Sequence, residues 1–189
     1  MIEKLLAHIH SITPLTAEEK VIIAELAKEK FIARKQFLHR EGELVNATAF
    51  VVEGCLRSYA IDRNGFEHIL QFAPENWWIA DMYSFVKGKP SELNIDALVD
   101  TKVLVFKRDC LVSIFDRVPK LERYFRILAE NALAASNQRT IDYLSLPARE
   151  RYTKFCESYP SLIHTIPQKS VASFIGITPE FLSKLRAEN

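Results

Sequence analysis

The 189-residue chain has only three cysteines, Cys55, Cys110 and Cys156, and they lie far apart. An odd, scattered set suits neither a disulfide framework nor a zinc knuckle, and it cannot supply the four ligands of an iron–sulfur cluster. The thiols are expected to be reduced and mostly buried. A dominant charge is also missing: 25 Lys and Arg stand against 24 Asp and Glu. No global field therefore announces a nucleic-acid or membrane partner, and any such partner must be met by a local patch. Uncharged apolar runs of membrane-spanning length are absent, and the opening MIEKLLAHIHSITPLT is broken by charge where a secretory signal needs an unbroken apolar core. The expectation is a soluble, cytoplasmic protein with no membrane partner.

Catalytic signatures are lacking too. There is no glycine-rich phosphate loop, nucleophile elbow or zinc pattern. The pair His8-x-His10 would suit the metal site of a cupin-type enzyme, but it falls in a helical stretch, where residues two apart face different ways. His68 and His164 are lone histidines of the kind that is usually structural. No enzyme activity, no cofactor and no metal are expected.

What is present falls into three regions. Residues 3–30 read as helical, with Thr16 and Glu19 forming a capping-box signature ahead of VIIAELA. From Phe31 to about residue 108 the segments FVVEG, CLRSYAI, HILQF and KVLVFK are short, rich in β-branched and aromatic residues, and separated by turn signals. Asn64-Gly65 is the strongest hairpin signal among them. The pattern predicts a small antiparallel sandwich or barrel, which must close or stack to protect its edges.

After Pro119 some 25 residues run without internal proline or glycine, the composition of one long helix. Leu121, Phe125, Leu128, Ala132, Ala135, Arg139 and Asp142 fall on one stripe, apolar in its first half and polar in its second. That stripe suits either packing on the chain's own β domain or a two-fold seam between two copies, and the helix's length favours the seam. Leu121, Phe125, Leu128, Ala132 and Ala135 are then the expected dimer interface.

The last region holds PQKSVASFIGITPEFLSKLR. It reads as a helix from about Gln168 to Ile175, a break at Gly176, Thr178 as N-cap, Pro179 at the first helical position, and a final helix to about Arg186. Such a helix-turn-helix presents its second helix to the major groove, which is roughly 12 Å wide. Glu180, Ser183 and Lys184 then lie near base edges, with Gln168, Lys169 and Arg186 near phosphates and Thr178 and Pro179 at the entering turn. From Leu146 onward six basic residues outnumber four acidic ones.

The run GCLRSYAIDRNGFEHILQFAPENWWIADMYSF, the long helix, ARERYTKF and the terminal helix-turn-helix together resemble the Crp/Fnr family of bacterial transcription regulators. The likeness covers almost the whole chain. It implies an α+β protein: an N-terminal β jelly roll of the cyclic-nucleotide-binding type over residues 1–118, a dimerisation helix over 119–145 and a C-terminal winged helix-turn-helix over 146–189. The implied partners are double-stranded DNA, a second copy of the chain and an unidentified small-molecule effector.

Carried over by position, Glu180 matches the family's glutamate, Pro179 replaces its first arginine, and Lys184 replaces the later one. Lysine makes a point contact instead of a fork, so DNA binding is expected with a different operator. The family's Gly-Glu pair becomes Ala80-Asp81, and its Arg-Ser or Arg-Thr pair becomes Ser91-Glu92, with no arginine between Arg63 and Arg108. A cyclic phosphate would lose its charge-assisted fork there, so cyclic AMP is not the expected effector. The alternative is a degenerate β roll that binds a ligand or a protein partner and no longer contacts DNA.

Overall fold

The computed structural model describes residues 1–163 and 165–187; His164 therefore lies outside the described residues. Two helices open the chain, α1 (Ile2–Ile12) and α2 (Ala17–Leu26). The capping box at the start of α2 is formed: the Glu19 amide donates to Thr16 Oγ1 at 3.3 Å and the Thr16 amide to Glu19 Oε2 at 2.7 Å.

Eight strands follow: β1 (Lys28–Ile32), β2 (Phe37–His39), β3 (Ala47–Glu53), β4 (Leu56–Ile61), β5 (Glu67–Ala73), β6 (Trp78–Ile79), β7 (Asn94–Ala97) and β8 (Thr101–Lys107). They form two antiparallel four-stranded sheets with orders β1-β8-β3-β6 and β2-β7-β4-β5. Their facing sides enclose Val51, Leu56, Ile79, Ile95 and Val103, giving the sandwich that the strand pattern predicted and the jelly roll that the resemblance implied. The β4–β5 hairpin turns at Asn64-Gly65, where Gly65 has φ +81° and Asp62 accepts from the amides of Asn64 and Phe66.

Two short helices, absent from the sequence reading, complete the roll: α3 (Met82–Lys87) and α4 (Arg108–Arg117). Then come α5 (Leu121–Ser145), α6 (Ala148–Ser158), α7 (Gln168–Ile175) and α8 (Pro179–Ala187). No strand follows β8 among the described residues, so they hold a helix-turn-helix without the β wing of a winged helix.

Two further apolar clusters hold the helices in place. Leu5, Ile9 and Ile23 from the N-terminal pair meet Phe50, Leu104 and Phe106 on the outer face of the first sheet, with Ile114 and Tyr124 closing the layer. Tyr59, Ile69 and Phe72 on the second sheet meet Phe155, Leu162, Val171, Ala172, Ile175 and Leu182. The helix-turn-helix is thus packed on the roll of its own chain. Each large buried side chain in such a cluster contributes about 1.5–3 kcal/mol by removal from water.

The first half of the stripe expected as a dimer seam packs on the chain's own domain instead. Leu121 is 1% exposed in the first of these clusters, and Phe125 and Leu128 pack against it. Further along, Arg139 donates to the Leu70 carbonyl and Asp142 pairs with Lys154 at 2.7 Å. Ala132 and Ala135 are exposed. The other side of α5 carries exposed Ala129, Leu133, Ile141 and Leu144, the last three 63%, 53% and 79% exposed. A helix with apolar groups on two sides packs one of them on its own domain, and periodicity alone does not say which.

Candidate nucleic-acid interface and the residues at the effector positions

The turn between α7 and α8 is fixed from three directions. Gly176 adopts φ +71° and ψ 45°, the left-handed cap in which glycine is unstrained. A Cβ there would also meet the exposed Tyr143 ring of α5, which would have to move aside. Arg151 on α6 donates to the Ile175 carbonyl at 2.9 Å and to the Leu146 carbonyl at 2.7 Å, closing the far side of the turn. Thr178 Oγ1 accepts from the Phe181 amide at 3.3 Å, the N-cap read from the sequence.

Leu182 and Leu185, 0% and 5% exposed, anchor the inner face of α8. The outer face is left to Glu180, Ser183 and Lys184, all exposed, with Pro179 and Thr178 exposed at its start. Gln168 and Lys169 open α7 on the surface, and Gln168 Oε1 accepts from Ser183 Oγ at 3.3 Å, tying the two helices together. Arg186 is half-buried. The structure thus gathers the residues expected to contact DNA onto the α7–α8 pair. It also shows which tail cations are engaged elsewhere: Arg151 with backbone carbonyls and Lys154 with Asp142, leaving Lys169 and Lys184 outward.

Sequence reasoning missed the residues that mount this unit. Ser173 Oγ donates to the Glu67 carbonyl at 2.6 Å and accepts from the Ile69 amide at 3.0 Å. Because β5 is an edge strand, one hydroxyl here takes the place of a neighbouring strand. Beside it Arg57 forms a fork on Asp96 at 2.7 and 2.9 Å, pairs with Glu67 at 2.8 Å and reaches Ser170 Oγ at 3.3 Å. Burial opposes the charge on Arg57, but the two carboxylates outweigh it and hold the guanidinium firmly protonated.

The positions expected from the resemblance to hold an effector are engaged in the protein's own bonds. Asp81 Oδ1 accepts from the amides of Tyr83 and Ser84 at 2.9 and 3.1 Å, capping α3, and Asp81 Oδ2 accepts from Ser91 Oγ at 2.6 Å. Asp81 and Ser91 are 3% and 2% exposed, so a buried carboxylate and hydroxyl satisfy each other. Ala80 is half-buried beside them and Glu92 points to solvent. The structure brings Asp81 and Ser91 together but does not draw Glu92 into the group. An aspartate seven residues before a glycine, Asp81 at the N-cap and Gly88 at the C-cap, was the signal for a capped α3.

The two tryptophans divide. Trp78 Nε1 donates to Tyr124 Oη at 2.8 Å inside the first helical layer; Trp77 is 41% exposed and lies against the Tyr159 ring. Burial pushes the Cys55 thiol up to about 12, leaving it unreactive. Neither a grouping of three metal-binding side chains nor a helix long and apolar enough to cross a membrane occurs among the described residues.

A β roll carrying a long helix and a terminal helix-turn-helix is an arrangement that this chain shares with proteins of known structure. Comparison with known proteins agrees with it. Residues 29–118 match the cyclic nucleotide-binding domain family. By sequence, no curated protein matches the chain.

Among solved structures, FixK2 from Bradyrhizobium japonicum superposes with a TM-score of 0.75 at 19% identity, over 86% of this chain and 83% of that one. The global regulator CLP of Xanthomonas campestris, described as c-di-GMP responsive, gives 0.73 at 11%, over 92% and 91%. The catabolite activator protein of Thermus thermophilus gives 0.61 at 18%, over 96% and 85%. At these identities the likeness is one of fold. The chain therefore has the Crp/Fnr fold, built on a domain of the cyclic nucleotide-binding type, as the resemblance in its sequence implied.

Proposed function

We propose that the protein is a homodimeric, sequence-specific DNA-binding regulator of transcription of the Crp/Fnr type, acting in the cytoplasm. The observation that carries this reading is the outer face of α8: Glu180, Ser183 and Lys184 stand exposed on a helix whose inner face and entering turn are rigidly held. A carboxylate can accept from cytosine N4 and an ammonium can donate to guanine O6 or N7. Lys169 at the surface adds attraction to phosphate, which is independent of sequence.

The free apolar side of α5, through Leu133, Ile141 and Leu144, is the seam to a second copy. The dimer then sets two α8 helices on successive major grooves, about 34 Å apart. An input that altered the angle between roll and α5 would alter that spacing.

Cyclic AMP is not the effector in this reading. Asp81 and Ser91 satisfy each other where a cyclic phosphate would need a cation, and a second buried anion beside Asp81 would be repelled. Binding of a fluorescent duplex pool by Glu180→Ala and Lys184→Ala variants tests the reading. Either substitution should weaken binding to a preferred sequence by about 1–3 kcal/mol. Unchanged affinity in both would favour a roll that kept its fold and lost contact with DNA.

A further inference from the structure

We propose that Phe181, a residue outside the polar set read from the sequence, contacts a thymine 5-methyl group in each half-site and so fixes one position of the operator. The inference rests on the DNA-binding reading of α8. Phe181 sits in the first turn of that helix, between Glu180 and Lys184 in sequence, and is 45% exposed. It belongs to none of the apolar clusters, although Leu182 beside it is fully buried in one of them.

Single exposed apolar residues are ordinary on protein surfaces. This one is set apart by where it stands and by how firmly it is held. Its amide is tied to Thr178 Oγ1, and the anchors Leu182 and Leu185 fix the rotation of the helix. An aromatic ring is therefore carried by a fixed stretch of backbone on the flank of the face proposed to enter the groove. In the major groove the thymine methyl is the apolar group that distinguishes one base, and an apolar side chain such as phenylalanine is its complement. Burying the ring against it removes from water two apolar surfaces that would otherwise stay wet.

The test uses the full chain and its preferred duplex, with each thymine of a half-site replaced in turn by deoxyuridine, which lacks only the 5-methyl group. One such replacement should weaken wild-type binding by roughly three- to ten-fold, the scale of burying one or two methyl-sized groups. Phe181→Ala should bind the thymine and uracil duplexes alike, and Phe181→Leu should keep part of the difference.

Wild-type protein indifferent to every replacement overturns the proposal, as does a Phe181→Ala variant that keeps the full penalty. Both results leave DNA binding itself intact. Failure to bind any duplex overturns the DNA-binding reading, and the role of Phe181 falls with it.

Discussion

The Ser173 hydroxyl on α7 accepts a hydrogen bond from the Ile69 amide at 3.0 Å, and so ties the helix-turn-helix to the free edge of the second sheet. The same oxygen donates to the Glu67 carbonyl. Ser173→Ala leaves an amide and a carbonyl unpaired at a half-buried edge, at a cost of about 1–3 kcal/mol. Hydrogen exchange should show the Ile69 amide losing protection first, before the interior of β4. Exchange at Ile69 unchanged from wild type would mean that the edge is protected by something other than this contact.

The two sides of α5 separate assembly from folding. Leu133→Glu together with Leu144→Glu should shift the protein from dimer to monomer in sedimentation while leaving its unfolding midpoint nearly unchanged, since both residues are exposed within the chain. Leu121→Ala should do the reverse, because it opens a cavity beside Tyr124 and costs about 2–5 kcal/mol. A wild-type chain that is monomeric at micromolar concentration would remove the seam.

Acid should destabilise the fold through two histidines. Burial lowers the pKa of His8, whose Nδ1 lies 2.8 Å from Tyr124 Oη, and of His39, whose Nε2 is buried without a hydrogen bond; for His39, Asp81 and Glu43 oppose the shift. Both side chains are neutral in the fold, and each pKa is higher in the unfolded chain, near 6.5. Their contribution is fully present above that value and is lost as pH falls through the lower folded values. The urea midpoint should fall between pH 7.5 and 5.5, and His8→Gln or His39→Gln should flatten the slope. A midpoint independent of pH in that window would contradict the burial of both rings.

These relationships were unequally legible in the sequence. The capping box at Thr16 and Glu19, the hairpin at Asn64-Gly65 and the break at Gly176 were read correctly, because each is fixed by a few neighbouring residues. The stripe from Leu121 to Asp142 was read on the correct helix, but the partner of Leu121, Phe125 and Leu128 was misjudged: the repeat identifies a buried face without saying which chain buries it. The α3 cap escaped notice because Asp81 was weighed against a ligand instead of against the two amides following it. Nothing in sequence spacing joins Ser173 to Ile69, which are 104 residues apart and meet only through the packing of α7 on β5.

Cyclic AMP at about 1 mM should leave the melting temperature unchanged, because Asp81 and Ser91 are already bonded to each other at the positions a cyclic phosphate would need. A ligand present at a hundred times its Kd would add about 2.7 kcal/mol and be plain in a thermal scan. Such a rise would show that the roll takes up the nucleotide in spite of the Asp81–Ser91 bond.

The central claim is that α8 reads sequence as one of a pair. Its most direct test is selection of duplexes from a random pool by the purified full chain at about 0.15 M salt, where contacts to phosphate alone are weakened. The account predicts enrichment of an inverted repeat with half-site centres about 10 bp apart. Recovery of duplexes with no shared sequence, or with a single unrepeated site, would contradict it.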